Sequence, residues 1–242
     1  MIPKIIHYCW FGGKPLPESV QCYMDSWKKY LPDFEIKQWD ESNFDVNARE
    51  YTREAYYAGK YAFVSDVARL EALTKEGGLY LDTDILIKKE VPEEMFRHRA
   101  FCGFEHLQYA QTGVLACEPH YSIFEEFMES YEDRHFFKGL QYDLRTNVCV
   151  FTDLMKRHGF VMDNSMQEID GMVIYPQILL CGKHCYEGRY DTDETIMLHD
   201  FQNDWGQDAL RDKLKFTIKS AFTVLKWELV DNNKSVNYGL DI

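Results

Sequence analysis

The chain of 242 residues is long enough to bury the core of one domain, and 45% of its residues are hydrophobic. Its formal net charge of −13 argues against nucleic acid as a partner, because phosphate binding needs a basic face. The charge does not exclude a nucleotide, whose few phosphates a metal ion and one or two cations can hold.

Neither a membrane span nor a secretory signal is evident in the sequence. No stretch reaches the apolar length of a bilayer-spanning helix, and the N-terminus lacks a signal-peptide pattern. The seven cysteines are an odd number without regular spacing, which indicates reduced thiols rather than a disulfide framework. We therefore expect a cytoplasmic protein.

Strands and helices alternate along most of the chain. Strands are predicted at residues 4–10, 34–39, 79–81, 100–104, 112–117, 172–175 and 195–198. Helices are predicted at residues 18–30, 61–76, 122–134, 147–158 and 207–230. This alternation predicts an α/β domain with a largely parallel sheet, in which ligands bind beyond the carboxyl ends of the strands.

Two aspartates follow the apolar strand that begins after Gly77 and Gly78. Asp82 and Asp84 are spaced i, i+2, so as part of a strand they would point to the same side. Two neighbouring carboxylates repel each other, and a divalent cation is the simplest counter-charge. Hard oxygen ligands favour Mg²⁺ or Mn²⁺, so the pair predicts a metal site.

The helix at 61–76 carries two charged residues within its apolar stripe. Asp66 lies in the middle of the stripe and Arg69 at its edge, and the i, i+3 spacing lets them touch. One interpretation is a half-buried structural ion pair. The other is a polar pocket beside Asp82, in which the aspartate accepts hydrogen bonds from sugar hydroxyls and the arginine donates them.

A third polar group follows the strand near residue 198. Asp200 is a candidate second metal ligand, His199 a candidate phosphate contact and Trp205 a candidate cap on the pocket. The alternative is that the histidine and the aspartate form only a hydrogen-bonded pair.

Three blocks together resemble a known family. Residues 2–13 (IPKIIHYCWFGG), 63–70 (FVSDVARL) and 77–84 (GGLYLDTD) look like the capsular-polysaccharide and mannosyltransferase-like enzymes of glycosyltransferase family 32. The catalytic domains of large clostridial toxins are more distantly similar. The resemblance covers most of residues 1–205. It implies a GT-A fold, a nucleotide-sugar donor, Mn²⁺ or Mg²⁺, and retention of the anomeric configuration.

The resemblance also assigns roles to individual residues. Trp10 matches the tryptophan that stacks on the donor base. Asp66 and Arg69 match the pair that holds hydroxyls of the donor sugar. Asp82 matches the aspartate that touches ribose and sugar, and Asp84 matches the direct metal ligand.

The remaining matches are looser. The family's closing motif is usually His-His-x-x-x-Ser-Trp, and residues 199–205 carry Asp200 in place of the second histidine and Asp204 in place of the serine. An acidic ligand at Asp200 keeps the metal role, whereas a carboxylate at Asp204 would repel the diphosphate. Gln111 begins a Gln-Thr-Gly sequence where relatives have Asn-Thr-Gly near the reacting carbon.

These observations predict a retaining glycosyltransferase. The expected donor is a UDP-sugar, with a GDP-sugar as the alternative, and the expected acceptor is a glycan or a lipid-linked glycan of a surface or capsular polysaccharide. Two other classes stay open. An aspartyl-nucleophile phosphohydrolase also uses Asp-x-Asp after an apolar strand, although Leu86 stands where that pattern has Thr or Val. A non-catalytic carbohydrate- or calcium-binding module is the other.

The C-terminal part, residues 206–242, contains an amphipathic helix. Within 207–230 one apolar stripe is predicted, formed by Leu210, Leu214, Ile218, Ala221, Phe222, Leu225 and Leu229. Five basic and three acidic residues give this segment a charge of +2, so the rest of the chain carries −15. We expect either peripheral attachment to an anionic membrane on its inner face, or packing of the stripe against the protein's own sheet or a second subunit.

Overall fold

The computed structural model describes the backbone of residues 1–184, 188–189, 192–201 and 210–231. Side chains are described in these ranges except at 183–184, 188–189, 210–217 and 230–231. The predicted domain boundary at residue 205 falls outside the described residues and stays a prediction.

The described strands and helices follow in chain order. The strands are Ile5–Cys9 (β1), Glu35–Trp39 (β2), Gly78–Leu81 (β3), Ile85–Ile87 (β4), Ala100–Glu105 (β5), Tyr109–Cys117 (β6), Phe137–Lys138 (β7), Gln141–Tyr142 (β8), Gln167–Ile169 (β9), Met172–Tyr175 (β10), Lys183–His184 (β11), Gly188–Arg189 (β12) and Met197–His199 (β13). The helices are Glu18–Tyr30 (α1), Glu50–Tyr57 (α2), Tyr61–Glu76 (α3), Ser122–Glu129 (α4), Asn147–Arg157 (α5), Gln177–Leu180 (α6) and Leu210–Lys226 (α7). A 3₁₀ turn covers Glu93–Arg97, and a π-helical turn at Trp227–Asp231 continues α7.

The centre of the fold is a sheet in the order β2-β1-β3-β6-β5-β10-β9. β6 and β9 run opposite to the other strands of this sheet, so most of its strands share one direction. Helices α2 to α5 contribute to the apolar core on one face, and α1 with the 3₁₀ turn contributes to the core on the other. The predicted α/β architecture is confirmed.

Local sequence signals located several elements well. Helices α1 and α3 and strand β10 have the predicted bounds, while α4 ends at Glu129 instead of residue 134. Helix α2 was missed by the sequence analysis. It has eight residues, and no side chain caps its N-terminus at Arg49, so it lacks the usual signals of a helix start.

Helix α1 fixes the strand that follows the two aspartates. Trp27 is fully buried, and its indole Nε1 donates a 2.7 Å hydrogen bond to the carbonyl of Ile85. The hydroxyl oxygen of Ser26 accepts a 3.0 Å hydrogen bond from the backbone N–H of Ile87. Because both contacts reach β4, α1 determines where the chain goes after Asp84.

A histidine at the end of α5 joins three parts of the fold. His158 lies 2.8 Å from Glu126 of α4 and 2.8 Å from Asp170 of the β9–β10 turn. The hydrogen bond to Glu126, followed by that to Asp170, raises the pKa of His158 above its ordinary value of 6.5. Protonated His158 therefore stabilises the folded state.

We predict that His158→Asn removes part of the pH dependence of stability. The stabilisation is complete below the unfolded-state pKa near 6.5 and disappears as the pH rises through the higher folded-state pKa. The wild type should lose roughly 0.5 kcal/mol of unfolding free energy across this window, because the ion pairs are partly screened by solvent. Urea denaturation at several pH values measures it. The same loss in the variant would contradict this role.

Candidate active site

The two aspartates lie in a turn rather than on a continuous strand. Strand β3 ends at Leu81, and the backbone N–H of Ile85 donates to the carbonyl of Asp82 at 3.0 Å. Strand β4 then leaves the main sheet and pairs with β13. The expectation that Asp82 and Asp84 share a face through strand alternation was therefore wrong, although the turn does bring them together.

Asp82, Asp84 and His199 form a compact group. One candidate ligand atom from each lies within 4.8 Å of the other two. Pairing of β13 with β4 sets His199 opposite Ile85, with His199 Nε2 3.3 Å from Asp84 Oδ1. His199 Nδ1 is buried and has no hydrogen-bond partner among the described residues. Two carboxylates and an imidazole with an unsatisfied buried nitrogen fit a divalent cation such as Mn²⁺ or Mg²⁺.

Gly113 allows this close approach. The backbone N–H of Asp82 donates to the carbonyl of Gly113 at 2.9 Å, which places the turn against β6. A methyl group at residue 113 would lie 3.0 Å from Asp82 Oδ2 and 3.0 Å from His199 Cε1. A side chain here would therefore displace the candidate ligands.

Arg69 is the buried cation beside this group. Its guanidinium donates to Asp66 Oδ1 at 3.0 Å and to the carbonyl of Thr112 at 2.8 Å, and it lies 3.3 Å from Asp82 Oδ1. It also lies over the ring of Tyr80, 4.6 Å from its centroid, and the Tyr80 hydroxyl donates to Asp82 at 2.9 Å. The predicted contact between Asp66 and Arg69 is present in the structure, and the pair adjoins Asp82.

Burial sets the protonation behaviour of Asp66. Loss of water raises the pKa of its carboxyl group to about 7, opposed by Arg69 and reinforced by Asp82. Asp66 and Arg69 thus form a buried ion pair, and the pKa of Asp66 depends on the neighbouring carboxylate of Asp82 as well as on Arg69.

Asp200 is close to the group but held differently. Its backbone N–H donates to the carbonyl of Asp84 at 3.0 Å, and its carboxylate accepts a 2.7 Å hydrogen bond from the hydroxyl of Tyr23. The group of clustered ligand atoms contains His199 in its place. The second-ligand role of Asp200 stays a prediction, and His199, expected at a phosphate, is the residue next to Asp84.

His199 is held from several sides. Its backbone N–H donates to the carbonyl of Cys181 at 2.9 Å, and its ring stacks on Phe201 with centroids 3.9 Å apart. Burial lowers the pKa of His199, but the adjacent Asp84 carboxylate raises it by more. The pKa of His199 therefore lies above its ordinary value. Phe201 in turn stacks on His106 at 5.9 Å.

Trp10 lies at the same edge of the sheet. Strand β1 runs parallel to β3 with His7 opposite Tyr80, so Trp10 follows β1 where the aspartates follow β3. Its indole Nε1 donates to the carbonyl of Lys14 at 2.6 Å. Gly12 has φ of +93° and lies against the ring of Tyr61, which favours glycine there. The contact of Trp10 with a nucleotide base stays a prediction.

Among the described residues, Gln111 is not brought to this group. Gln111 is fully buried on β6, where its amide nitrogen lies 3.4 Å from the carbonyl of Leu180. Its side chain would have to leave this environment to contact a bound donor. Trp205 lies outside the described residues.

Tyr23, Tyr80 and Phe201 were missed by the sequence reasoning. Tyr80 lies on β3, two residues before Asp82, and strand periodicity could have placed the two side chains on the same side. Tyr23 belongs to the apolar stripe of α1, so no local pattern separates it from ordinary core residues.

Comparison with protein families gives an independent result. A model of a family described as capsular polysaccharide synthesis protein matches residues 1–141, more than half of the chain. The chain belongs to this family. The family expected from the three sequence blocks is thereby confirmed.

Individual relatives are more distant. An uncharacterized glycosyltransferase of Acanthamoeba polyphaga mimivirus is 28% identical over 139 residues, covering 52% of this chain and 53% of its own. Human alpha-1,4-N-acetylglucosaminyltransferase is 31% identical over 71 residues, covering 29% of this chain and 19% of its own. The chain thus spans about half of the first relative and a fifth of the second.

Solved structures with some likeness include GlyE of Streptococcus pneumoniae TIGR4. It is 11% identical with a TM-score of 0.49, and the match covers 94% of this chain and 64% of GlyE. The PaToxG glycosyltransferase is 20% identical with a TM-score of 0.47, and the match covers 64% of this chain and 68% of that protein.

We predict that Gly113→Ala weakens Mn²⁺ binding without unfolding the protein. The added methyl group must move Asp82 or His199, so the affinity should fall by roughly tenfold or more. Calorimetric titration with Mn²⁺ measures the change. The control is Ala116→Gly, which removes a buried methyl group from the same strand and should lower stability but leave Mn²⁺ affinity unchanged. Equal affinity in wild type and Gly113→Ala would contradict the cluster as the metal site.

Proposed function

We propose that the protein is a metal-dependent retaining glycosyltransferase that moves a hexosyl unit from a nucleotide-diphosphate sugar, specifically a UDP-sugar, to a glycan or lipid-linked glycan acceptor. The observation that carries this proposal is the cluster of Asp82, Asp84 and His199 beside the buried Asp66–Arg69 pair. The family match and the relatives that are named glycosyltransferases support it. The acceptor would belong to surface or capsular polysaccharide synthesis.

The cluster would hold the metal ion. Asp84 and His199 are buried and Asp82 is partly accessible, so a cation there would be bound from the protein side and open on the other. When bound, Mn²⁺ or Mg²⁺ stabilises negative charge on the diphosphate leaving group. Asp200 would join as a second ligand through its carboxylate, whose Oδ2 accepts the hydrogen bond from Tyr23.

Asp66 and Arg69 would orient the donor sugar. Arg69 is held by contacts to Asp66, to Asp82 and to the carbonyl of Thr112. Its side chain therefore loses little conformational entropy when the donor binds. We propose that Asp66 accepts hydrogen bonds from sugar hydroxyls and that Arg69 keeps its carboxylate aligned.

Retention of configuration would follow from reaction on one face of the sugar. Asp82 and Asp84 belong to the proposed metal site and Asp66 is paired with Arg69, so none of the three is placed as a covalent nucleophile. The acceptor hydroxyl would bond to the anomeric carbon on the face that the phosphate leaves. The departing phosphate oxygen would take the proton of that hydroxyl, which balances the charge without a separate base.

We predict that Asp84→Asn lowers Mn²⁺-dependent release of UDP from UDP-sugars by roughly a hundredfold or more, because it removes a ligand charge while keeping the side-chain volume. The control, Asp25→Asn, neutralises an exposed aspartate of α1 and should retain full activity. Near-normal turnover of Asp84→Asn, or full wild-type turnover in excess chelator, would rule out the metal-dependent mechanism.

We predict that Trp10→Ala weakens UDP binding by roughly tenfold or more, because stacking of a base on an aromatic ring contributes ~1–3 kcal/mol. Trp10→Phe, which keeps a stacking surface, should retain most of the affinity. Calorimetry in the presence of Mn²⁺ provides the comparison, with GDP tested in parallel. If all three proteins bind UDP equally, Trp10 does not contact the base.

A further inference from the structure

Helix α7 and the π-helical turn that follows have two apolar faces. One face packs on the domain: Ser220, Val224 and Trp227 are only 2%, 1% and 5% exposed. The Trp227 ring lies 4.9 Å from Tyr57 of α2 and 5.7 Å from Phe137, measured between ring centroids. The described residues that attach the helix to the domain are therefore not members of its predicted apolar stripe.

The predicted stripe lies on the outside instead. Ile218, Phe222, Leu225 and Leu229 are 51%, 70%, 40% and 81% exposed. Their spacing of four, three and four residues places them along one side of a helix. The described part of the stripe thus does not pack against the protein's own sheet, and we name these four residues the outer stripe. A contiguous row of large exposed apolar side chains indicates an interaction surface.

The charges of the helix indicate what covers the outer stripe. Lys219 and Lys226 are exposed, and Glu228 is the one acidic residue among the described side chains of 218–229. Over 207–230 the charge is +2, against −15 for the rest of the chain. A partner with an apolar interior and an anionic surface complements this face, whereas a second copy paired by two-fold symmetry would bring the same basic helix against it.

We propose that the outer stripe of α7 inserts into the interfacial region of an anionic lipid bilayer. In this arrangement the four apolar side chains enter the acyl boundary and Lys219 contacts anionic headgroups, while Lys226 lies over the ring of Tyr57, 6.0 Å from its centroid. Trp227 and Val224 keep the helix on the domain, so the bilayer would hold the whole protein and not a detached tail.

Aromatic residues connect the attachment of the helix with the loop that follows Trp10. Tyr57, which contacts Trp227, follows Tyr56, and Tyr56 packs on Tyr61 with ring centroids 5.3 Å apart. The ring of Tyr61 in turn contacts Gly12 in the loop after Trp10. Binding to a bilayer would therefore bring the candidate donor site close to acceptors carried by lipids, although the lipid contact itself does not depend on the proposed enzymatic activity.

The test is flotation of the full chain with vesicles of phosphatidylcholine alone and of phosphatidylcholine with phosphatidylglycerol. We expect binding to the anionic vesicles, and a loss of roughly tenfold or more in Phe222→Ser/Leu229→Ser. Lys219→Glu should weaken binding about tenfold, and added salt should weaken wild-type binding. The melting temperature and UDP affinity of these variants should match the wild type, because the changed side chains point outward.

The matched control is Val161→Ser/Met166→Ser, which removes two apolar side chains that are 56% and 61% exposed elsewhere. It should bind vesicles as the wild type does. Absence of wild-type binding to anionic vesicles, or equal binding by the outer-stripe variant, would overturn the proposal. A wild-type dimer in solution that becomes monomeric in Phe222→Ser/Leu229→Ser would also overturn it, because the stripe would then be a contact between copies.

Discussion

The candidate site depends on the contacts made by the buried guanidinium of Arg69. Arg69 lies on α3, where it contacts Asp66 of the same helix. It joins α3 to the turn after β3 through Asp82 and to strand β6 through the carbonyl of Thr112. Two carboxylates brought this close in a low-dielectric interior would repel each other without a shared cation. Arg69 supplies that cation from the protein, and the other side of Asp82 faces Asp84 and His199.

A division of charge follows from this arrangement. Arg69 compensates Asp66 and part of Asp82, whereas Asp84 lies beside His199, whose imidazole has to give up its proton to ligate a cation. The buried, unsatisfied Nδ1 of His199 and the close approach permitted by Gly113 both belong to this second half. Arg69 thus provides a cation on one side of Asp82, and a divalent cation would bind on the other side, between Asp82, Asp84 and His199.

Much of the fold and of this site could be predicted from sequence because the signals are local. Gly77 ends α3 and the apolar run after it forms β3, so the position of the aspartates beyond β3 was predictable. The contact between Asp66 and Arg69 followed from helical spacing. The turn at residues 82–84 was not predictable, because β4 leaves the sheet only through its pairing with β13, which is distant in sequence.

Other features depend on contacts between distant segments. The hydrogen bond from Tyr23 to Asp200 joins residues far apart in the chain, and α2 is a short helix stabilised by packing rather than by caps. Periodicity identified the apolar stripe of α7 but did not show which face packs on the domain. One buried tryptophan, Trp227, reverses the orientation that the stripe alone suggests.

The central claim is that Asp82, Asp84 and His199 hold a divalent cation that binds the diphosphate of the donor. Calorimetric titration of UDP into the wild-type protein, with and without Mn²⁺, tests this most directly. The acidic cluster should repel the diphosphate when no cation is present, so tight binding is predicted only with Mn²⁺. Equal affinity for UDP in metal-free buffer and in Mn²⁺ would contradict the account.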